Sequence, residues 1–303
     1  MSLLDLPEVF KTDAAESAFV NRELEHVSSK VYETEYPDLV ARTLLPINSE
    51  GAGADLLSYE STDSYGSAKI ISDFGADLPR ADVSGKMDSQ RVRTLGSSYG
   101  YSVGEMRAAA RVGKNLEQRK ANAARRVCEE LLDDIAFFGD SKYDLKGFAN
   151  HPNLTVGTAA QSFAAATPDQ LHELITGMVG FISDATKGKR KPDSLALPEA
   201  QWTKIATKRL TDSNETVLSF LLRVQPWIKR IVPAYKLKGA GAAGADRMIA
   251  YSYDPEIITL EIPSEFETLP AERKGLEWVT ACMLTTGGVV VRNANAFYAL
   301  DGI

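Results

Sequence analysis

Apolar and small residues recur at three- and four-residue steps through Met106, Ala109, Gly113, Leu116, Ala124, Val127, Leu131, Ile135 and Phe138, with Lys120 filling the remaining step. Good helix formers occupy the positions between them and no proline intervenes. The pattern predicts one helix from about Glu105 to Phe138. At about 1.5 Å per residue it would be roughly 50 Å long, well beyond the usual helix of a globular domain. Its basic residues fall early and its acids late. That order opposes the helix dipole, so packing has to hold the ends.

Upstream the texture changes twice. Residues 1–48 are polar and broken by Pro7, Pro37 and Pro46. A short helix over Asp13–Val31, carrying Ala18, Phe19, Leu24, Val27 and Val31, buries too little to stand alone and reads as an arm. In residues 49–103, GADLLSYESTDSYGSAKIIS is extended, and QRVRTLGSSYGYSV alternates with Leu95, Tyr99, Tyr101 and Val103 on one parity. DFGADLPRADVSGKMD between them has the composition of a loop tip. The stretch predicts a long two-stranded hairpin, marginal by itself in water. Its few apolar side chains need a covering surface, and another copy of the chain is the natural supplier.

Downstream, TPDQ has the form of a capping box, with Thr167 as N-cap, Pro168 at the first helical position and Gln170 reaching back. LHELITGMVGFISDATK continues that helix. PDSLALP, IKRIVPAYKL and RMIAYSY read as strands, and PEAQWTKIATKRL and NETVLSFLLRV as helices, so 167–253 is an α/β unit. Residues 254–303 are strand-rich. WVTACML and GVVVRN are separated by TTGG, a hairpin turn by composition. The closing strands are expected to return to the long helix, and residues 104–166 with 254–303 to make a second unit.

Composition narrows this picture without sharpening it. The chain has 303 residues, 25% of them charged, and a net charge of -7. That argues against non-specific grip on nucleic acid. No run of about 18 apolar residues marks a membrane span, and the start lacks the basic and apolar regions of a secretory signal. Cys128 and Cys282 read as buried thiols of a reducing compartment, with a disulfide not deducible from sequence.

Candidate chemistry is sparse. His26, His151 and His172 have no partner at metal or triad spacing. Glu129, Glu130, Asp133 and Asp134 make a solvated helix end, or part of a carboxylate metal site that needs further oxygens; in an enzyme reading Asp133, Asp134, Asp140 and Asp144 gather on a metal. GAGAAGAD lacks the Gly-Lys-Ser/Thr of a phosphate loop. KGKRK, Lys187 to Lys191, is a weak basic cluster: a solvated loop, or a contact to DNA or an acidic neighbour. FFGDSKYDLKGFANHPNLTVG brings Asp140, Asp144, Asn150 and His151 close in sequence. Gly139 sits where helices commonly end in a left-handed residue, and turn chemistry accounts for the polar groups. No cofactor and no catalytic residue is indicated.

The order of parts resembles the major capsid proteins of tailed double-stranded DNA phages, whose HK97-like fold is shared by encapsulin shells. The features that carry the resemblance are the arm at 1–48, the extended loop at 49–103, the long helix, and FFGDSKYDLKGFANHPNL. This last is similar to the family's phrase of an apolar pair, Gly-Asp, a few variable residues, then Gly-Phe/Leu-x-Asn. The segment at 167–253 and the final VVVRNANAFYAL complete it. The resemblance implies an α+β fold with N-terminal arm, extended β-hairpin loop, spine helix, peripheral domain (104–166 and 254–303) and α/β axial domain (167–253). It implies a non-enzymatic protein that assembles with itself as hexamers and pentamers into an icosahedral shell around packaged DNA. Portal and scaffolding proteins are the implied partners, the bacterial host cytoplasm the place of assembly and the virion capsid the destination. An encapsulin-like compartment and a metal-dependent α/β enzyme are the competing readings. The charged loop tip, Asp77, Arg80, Asp82, Lys86 and Asp88, is then expected at a seam between subunits.

Overall fold

The computed structural model describes residues 38–69, 80–106, 116–211 and 213–303. The expected arm helix, the loop segment holding Asp77, and 107–115 of the long helix lie outside these residues. The chain makes one helical turn, α1 (Ala41–Leu44), then a short strand, β1 (Ile47–Asn48). β2 (Leu56–Tyr65) and β3 (Asp82–Arg91) next pair antiparallel, from Leu56 opposite Arg91 to Tyr65 opposite Asp82.

The extended hairpin is therefore present, but its returning strand differs from the sequence reading. Residues 82–88, expected in the tip, are in the strand. The alternating stretch expected as the returning strand is instead β4 (Arg93–Ser102), which pairs along its whole length with Glu277–Thr286. Its alternation is real, since Leu95 and Tyr101 are both buried. Alternation reports a strand with one covered face; it does not name the partner.

α2 (Leu116–Phe138) is the described part of the long helix. Its buried line is Ala124, Cys128, Leu132, Ile135 and Ala136. Val127, Leu131 and Phe138, which periodicity joins to Ile135, stay 57%, 44% and 41% exposed. Steps of three and four fit either row. The rows lie one residue, about 100°, apart, and only the packed neighbour chooses between them.

The α/β part contains β5 (Thr155–Thr158), α3 (Pro168–Ala185), β6 (Ser194–Leu197), α4 (Glu199–Thr207), α5 (Val217–Val224), β7 (Arg230–Pro233) and β8 (Arg247–Tyr251). Both halves of the α3 capping box form: Gln170 N donates to Thr167 Oγ1 at 3.3 Å and Thr167 N to Gln170 Oε1 at 2.8 Å. Such a cap stabilises a helix by about 1 kcal/mol. α5 opens on a second box, between Thr216 and Ser219. Leu171, Ile175, Ile182, Leu197 and Leu221 share one apolar core with Phe163.

The remaining strands are β9 (Ile258–Glu261), β10 (Ser264–Thr268), β11 (Glu272–Lys274), β12 (Glu277–Thr286), β13 (Gly288–Val291) and β14 (Phe297–Asp301). Two expectations are corrected here. TTGG is no hairpin turn: β12 pairs with β4, β10 and β11, whereas β13 pairs with β9 in a sheet with β1. Gly288 at φ +70 redirects the chain between the sheets, and a Cβ there would stand 2.7 Å from the Lys146 carbonyl oxygen. The last strand also leaves the 254–303 unit. β14 inserts between β5, in parallel, and β8, antiparallel, giving the five-strand order β5-β14-β8-β6-β7. The α/β sheet thus draws on residues outside 167–253. Strand pairing at such sequence separation leaves no local trace.

Candidate assembly interface

The β2–β3 ribbon has two unlike faces, because opposed residues of an antiparallel pair point to the same side and successive residues alternate. One face carries Tyr59, Tyr65, Asp82, Lys86 and Asp88. The other carries Leu56, Glu60, Val83, Met87 and Arg91. On the first, Lys86 Nζ meets Asp88 Oδ1 at 2.8 Å and the Tyr65 hydroxyl lies 3.4 Å from Asp82 Oδ2. Asp88 raises the pKa of the Lys86 ammonium above its ordinary value. On the second, Met87, Val83 and Leu56 are 73%, 63% and 49% exposed. Three of the expected tip charges, Asp82, Lys86 and Asp88, thus share one face. Arg80 is exposed just before β3.

The root of the ribbon is fixed. Gln90 is buried and donates from Nε2 to the Asp144 carbonyl at 3.0 Å. The Arg292 guanidinium sits 5.5 Å from the Tyr59 ring centroid and 3.2 Å from the buried Glu261 carboxylate. Glu261 also accepts from Asn48 Nδ2 at 2.8 Å, which joins the ribbon root to β1.

α1 is held as firmly. Buried Asp133 accepts from Ala41 N at 2.8 Å, and Lys236 Nζ reaches Asp133 at 2.6 Å and Asp134 at 2.7 Å. Arg42 bridges Glu129 and Glu265 at 2.9 and 2.8 Å. Of the acids weighed as a metal site, Glu129, Glu130, Asp133 and Asp134 therefore have in-chain cationic or N–H partners. Asp140 accepts from Lys142 N at 2.9 Å within a turn. Among the described residues no three His, Cys, Asp or Glu side chains are placed to hold a metal ion.

The other candidates resolve similarly. In the basic loop, Arg190 pairs with Asp254 at 2.6 Å and Lys191 lies 4.3 Å from the Trp227 ring centroid. The glycine-rich loop wraps an anion of its own chain: Ala242 N donates to Asp301 Oδ2 at 2.9 Å. Cys128 and Cys282 are buried free thiols, and Cys128 Sγ contacts Ser97 Oγ at 3.2 Å. Burial pushes the Cys282 pKa up. His172 packs edge-on against Phe220, and His26 lies outside the described residues.

His151 has a measurable consequence. It is buried, packs edge-on against Phe297, and accepts from Asn153 N at its Nδ1, 3.1 Å away. Burial, with Lys146 adding repulsion, lowers its pKa from 6.5 to about 4. The unfolded chain takes up this proton first as pH falls. The stability tied to neutral His151 is therefore complete above about 6.5 and is lost as pH drops towards 4. In chemical denaturation of unassembled subunits, His151→Gln is expected to remove roughly 2–3 kcal/mol of the wild-type decline across that window. Parallel declines in the two proteins would refute the assignment.

A family model described as Major capsid protein matches residues 66–303. No curated protein matches the sequence. Among solved structures, the chain is similar to the capsid of Myoviridae Phage XM1, with TM-score 0.82 and 22% identity over 93% of this chain and 98% of that one. It is similar to a structure from Mycobacterium phage Ogopogo, with TM-score 0.62 and 14% identity over 91% and 96%. It is also similar to a virus-like particle from Pyrococcus furiosus, with TM-score 0.55 and 13% identity over 85% and 90%. These likenesses show the HK97-like fold.

Proposed function

The chain belongs to the major capsid protein family and forms a capsid shell, and on that premise we propose that it builds an icosahedral phage shell around double-stranded DNA. The observation that carries the reading is the ribbon. Both its faces are largely exposed, yet a lone two-stranded ribbon is marginal in water. Ordering costs about 1–2 kcal/mol per backbone residue, and contact with other subunits offsets it. In this reading the ribbon reaches over a neighbouring copy, the α/β axial domain points to the centre of hexamers and pentamers, and α2 with the β4–β12 sheet forms the periphery. Repeated symmetric contacts then close the shell. Portal and scaffolding proteins assist, assembly takes place in the host cytoplasm, and the protein performs no catalysis.

The likeness to the Pyrococcus furiosus particle favours a second reading, an encapsulin-like compartment around protein cargo. The contents decide. Particles isolated from the host that makes them are expected to hold nuclease-protected double-stranded DNA; a folded protein cargo instead would overturn the virion reading.

The charged tip, with Asp77, Arg80, Asp82, Lys86 and Asp88, belongs to the rim of the seam. Exposed ion pairs contribute about 0–1 kcal/mol each and weaken in salt. Arg80→Glu with Lys86→Glu is expected to raise the concentration needed for assembly by about fivefold at low salt. The subunit's urea midpoint should not move. Assembly at wild-type concentration would refute the placement.

A further inference from the structure

Three small side chains meet where α2 lies on the β4–β12 sheet. Ser97 of β4 stands opposite Cys282 of β12 in the ladder. Opposed residues of an antiparallel pair put their side chains on the same face, about 5 Å apart. Cys128, on the buried line of α2, completes the group: its thiol donates to Ser97 Oγ at 3.2 Å. Ser97 Oγ in turn donates to the Ala124 carbonyl at 3.2 Å, one turn earlier in the helix. A sheet hydroxyl in contact with helix backbone means that the helix rides close on the sheet, as the small Ala124, Cys128 and Ser97 allow. Both cysteines are 2% exposed. Burial and then the neighbouring Cys128 push the Cys282 pKa up, and Ser97 offsets part of the rise. The two sulfurs thus flank one hydroxyl, one from the helix and one from the sheet. The chain has no other cysteine to compete for either.

We propose that Cys128 and Cys282 form a latent disulfide, a latch between α2 and the β4–β12 sheet that closes after the shell leaves the reducing cytoplasm. Its timing rests on the capsid reading; the bond itself rests on the contact around Ser97. The oxidant is a small disulfide of the surroundings, of the class of oxidised glutathione. One cysteine, its proton given to water, attacks a sulfur of the small disulfide as the thiolate. A mixed disulfide forms and one small thiolate leaves. The second cysteine, likewise deprotonated, attacks the first cysteine's sulfur, which makes the Cys128–Cys282 bond and releases the second small thiolate. Two protein thiols are oxidised, one small disulfide is reduced, and the two protons end on the released thiols. A sulfur–sulfur bond is about 2 Å long, so the Ser97 hydroxyl swings aside by rotation about its Cα–Cβ bond. Both thiols are buried, and the Cys282 thiol resists ionisation, so closure is slow and follows assembly. The bond would close a loop of more than half the chain. A bridge constrains the unfolded state more as its loop lengthens.

The experiment incubates the reduced, folded subunit with oxidised glutathione, then denatures it and counts free thiols. Both thiols are expected to disappear, with a mass loss of two hydrogens and one disulfide-linked peptide pair holding Cys128 and Cys282. The urea midpoint should rise by about 1 M and return on treatment with dithiothreitol. Cys282→Ala is expected to show no such rise; the wild-type result stands even if that variant folds poorly. Glutathione adducts in place of the bridge, disulfides between chains, survival of both thiols, or a bridge that leaves the midpoint unmoved would each overturn the inference. Particles supply the timing. Those from a lysed culture should carry the bridge, and those whose thiols are alkylated inside the cell should not; a bridge in both or in neither would overturn the latch and leave the capsid reading untouched. If the wild type forms no shells, the capsid reading fails and the subunit result remains.

Discussion

Alanine at Gly147 is expected to destabilise the subunit severely and to cut its soluble yield. The reason lies where α2 ends. Gly139, at φ +66, turns the chain out of the helix, and Asp140 and Leu145 exchange two backbone hydrogen bonds at 2.8 and 2.9 Å. The chain then runs back over the helix end. Phe148 N donates to the Ala136 carbonyl at 2.7 Å, Ala149 N to Phe137 at 2.8 Å, and Asn150 Nδ2 to Phe138 at 2.6 Å. Three carbonyls that a helix terminus leaves without partners are thereby satisfied. The return requires the two backbones to touch. A Cβ on Gly147 would lie 2.4 Å from Gly139 N, 2.5 Å from Phe138 C and 2.6 Å from the Phe137 carbonyl oxygen. All three are backbone atoms and cannot rotate aside. Shifting the loop weakens three hydrogen bonds, each about 1 kcal/mol net, and draws Phe148 out of a fully buried site. The total, about 4 kcal/mol or more, is a large share of an ordinary domain's 5–15 kcal/mol. Gly177→Ala in α3 is the control: nothing lies within 4 Å of its Cβ, so it should stabilise by about 0.5–1 kcal/mol. Soluble yield and urea midpoint decide. A Gly147→Ala subunit with the wild-type midpoint would show that the close approach is not why glycine stands there.

This corner also shows what a sequence discloses. Gly139 was legible because a left-handed helix end is a local event with a local residue preference. Gly147 reads only as punctuation, since its reason is a backbone eight positions earlier that periodicity cannot place beside it. The same division runs through the fold. Both capping boxes use groups three residues apart, and the Thr167 box was legible down to its atoms. The alternation of β4 was legible and its pairing with β12 was not. β14 looked like the close of one unit and lies inside the sheet of another. In α2, spacing showed amphipathicity, but the buried row was one residue away from the one it favoured. At the candidate interface, charge drew attention to Asp82, Lys86 and Asp88. The exposed apolar row of Val83 and Met87 emerges only once the register with β2 assigns faces, because both residues sit in a stretch with the composition of a turn.

Removing Arg247 is the second change expected to have a large effect. Arg247 and Asp301 are 8% and 3% exposed and form a two-pronged pair, Nε to Oδ1 at 2.6 Å and an Nη to Oδ2 at 2.7 Å. The other Nη donates to the Ala149 carbonyl, and Asp301 also accepts from Ala242 N. One ion pair thus ties β8 to β14, to the loop behind α2 and to the glycine-rich loop. Burial alone would push the Asp301 pKa up, but Arg247 and the Ala242 N–H more than reverse it and hold it below the ordinary carboxylate range. Its contribution is therefore complete above the unfolded carboxylate pKa and is lost only as pH falls below it. Arg247→Met leaves a buried carboxylate with a single N–H partner, and Asp301→Leu leaves a buried guanidinium without its counter-charge. Each is expected to cost about 3–5 kcal/mol. The double variant, Arg247→Met with Asp301→Leu, removes both charges and strands only Ala242 N and the Ala149 carbonyl. It should therefore be no less stable than either single variant. Denaturation of the four proteins completes the cycle. If the two single losses simply add, the groups act independently and the pair does not clamp β14 into its sheet.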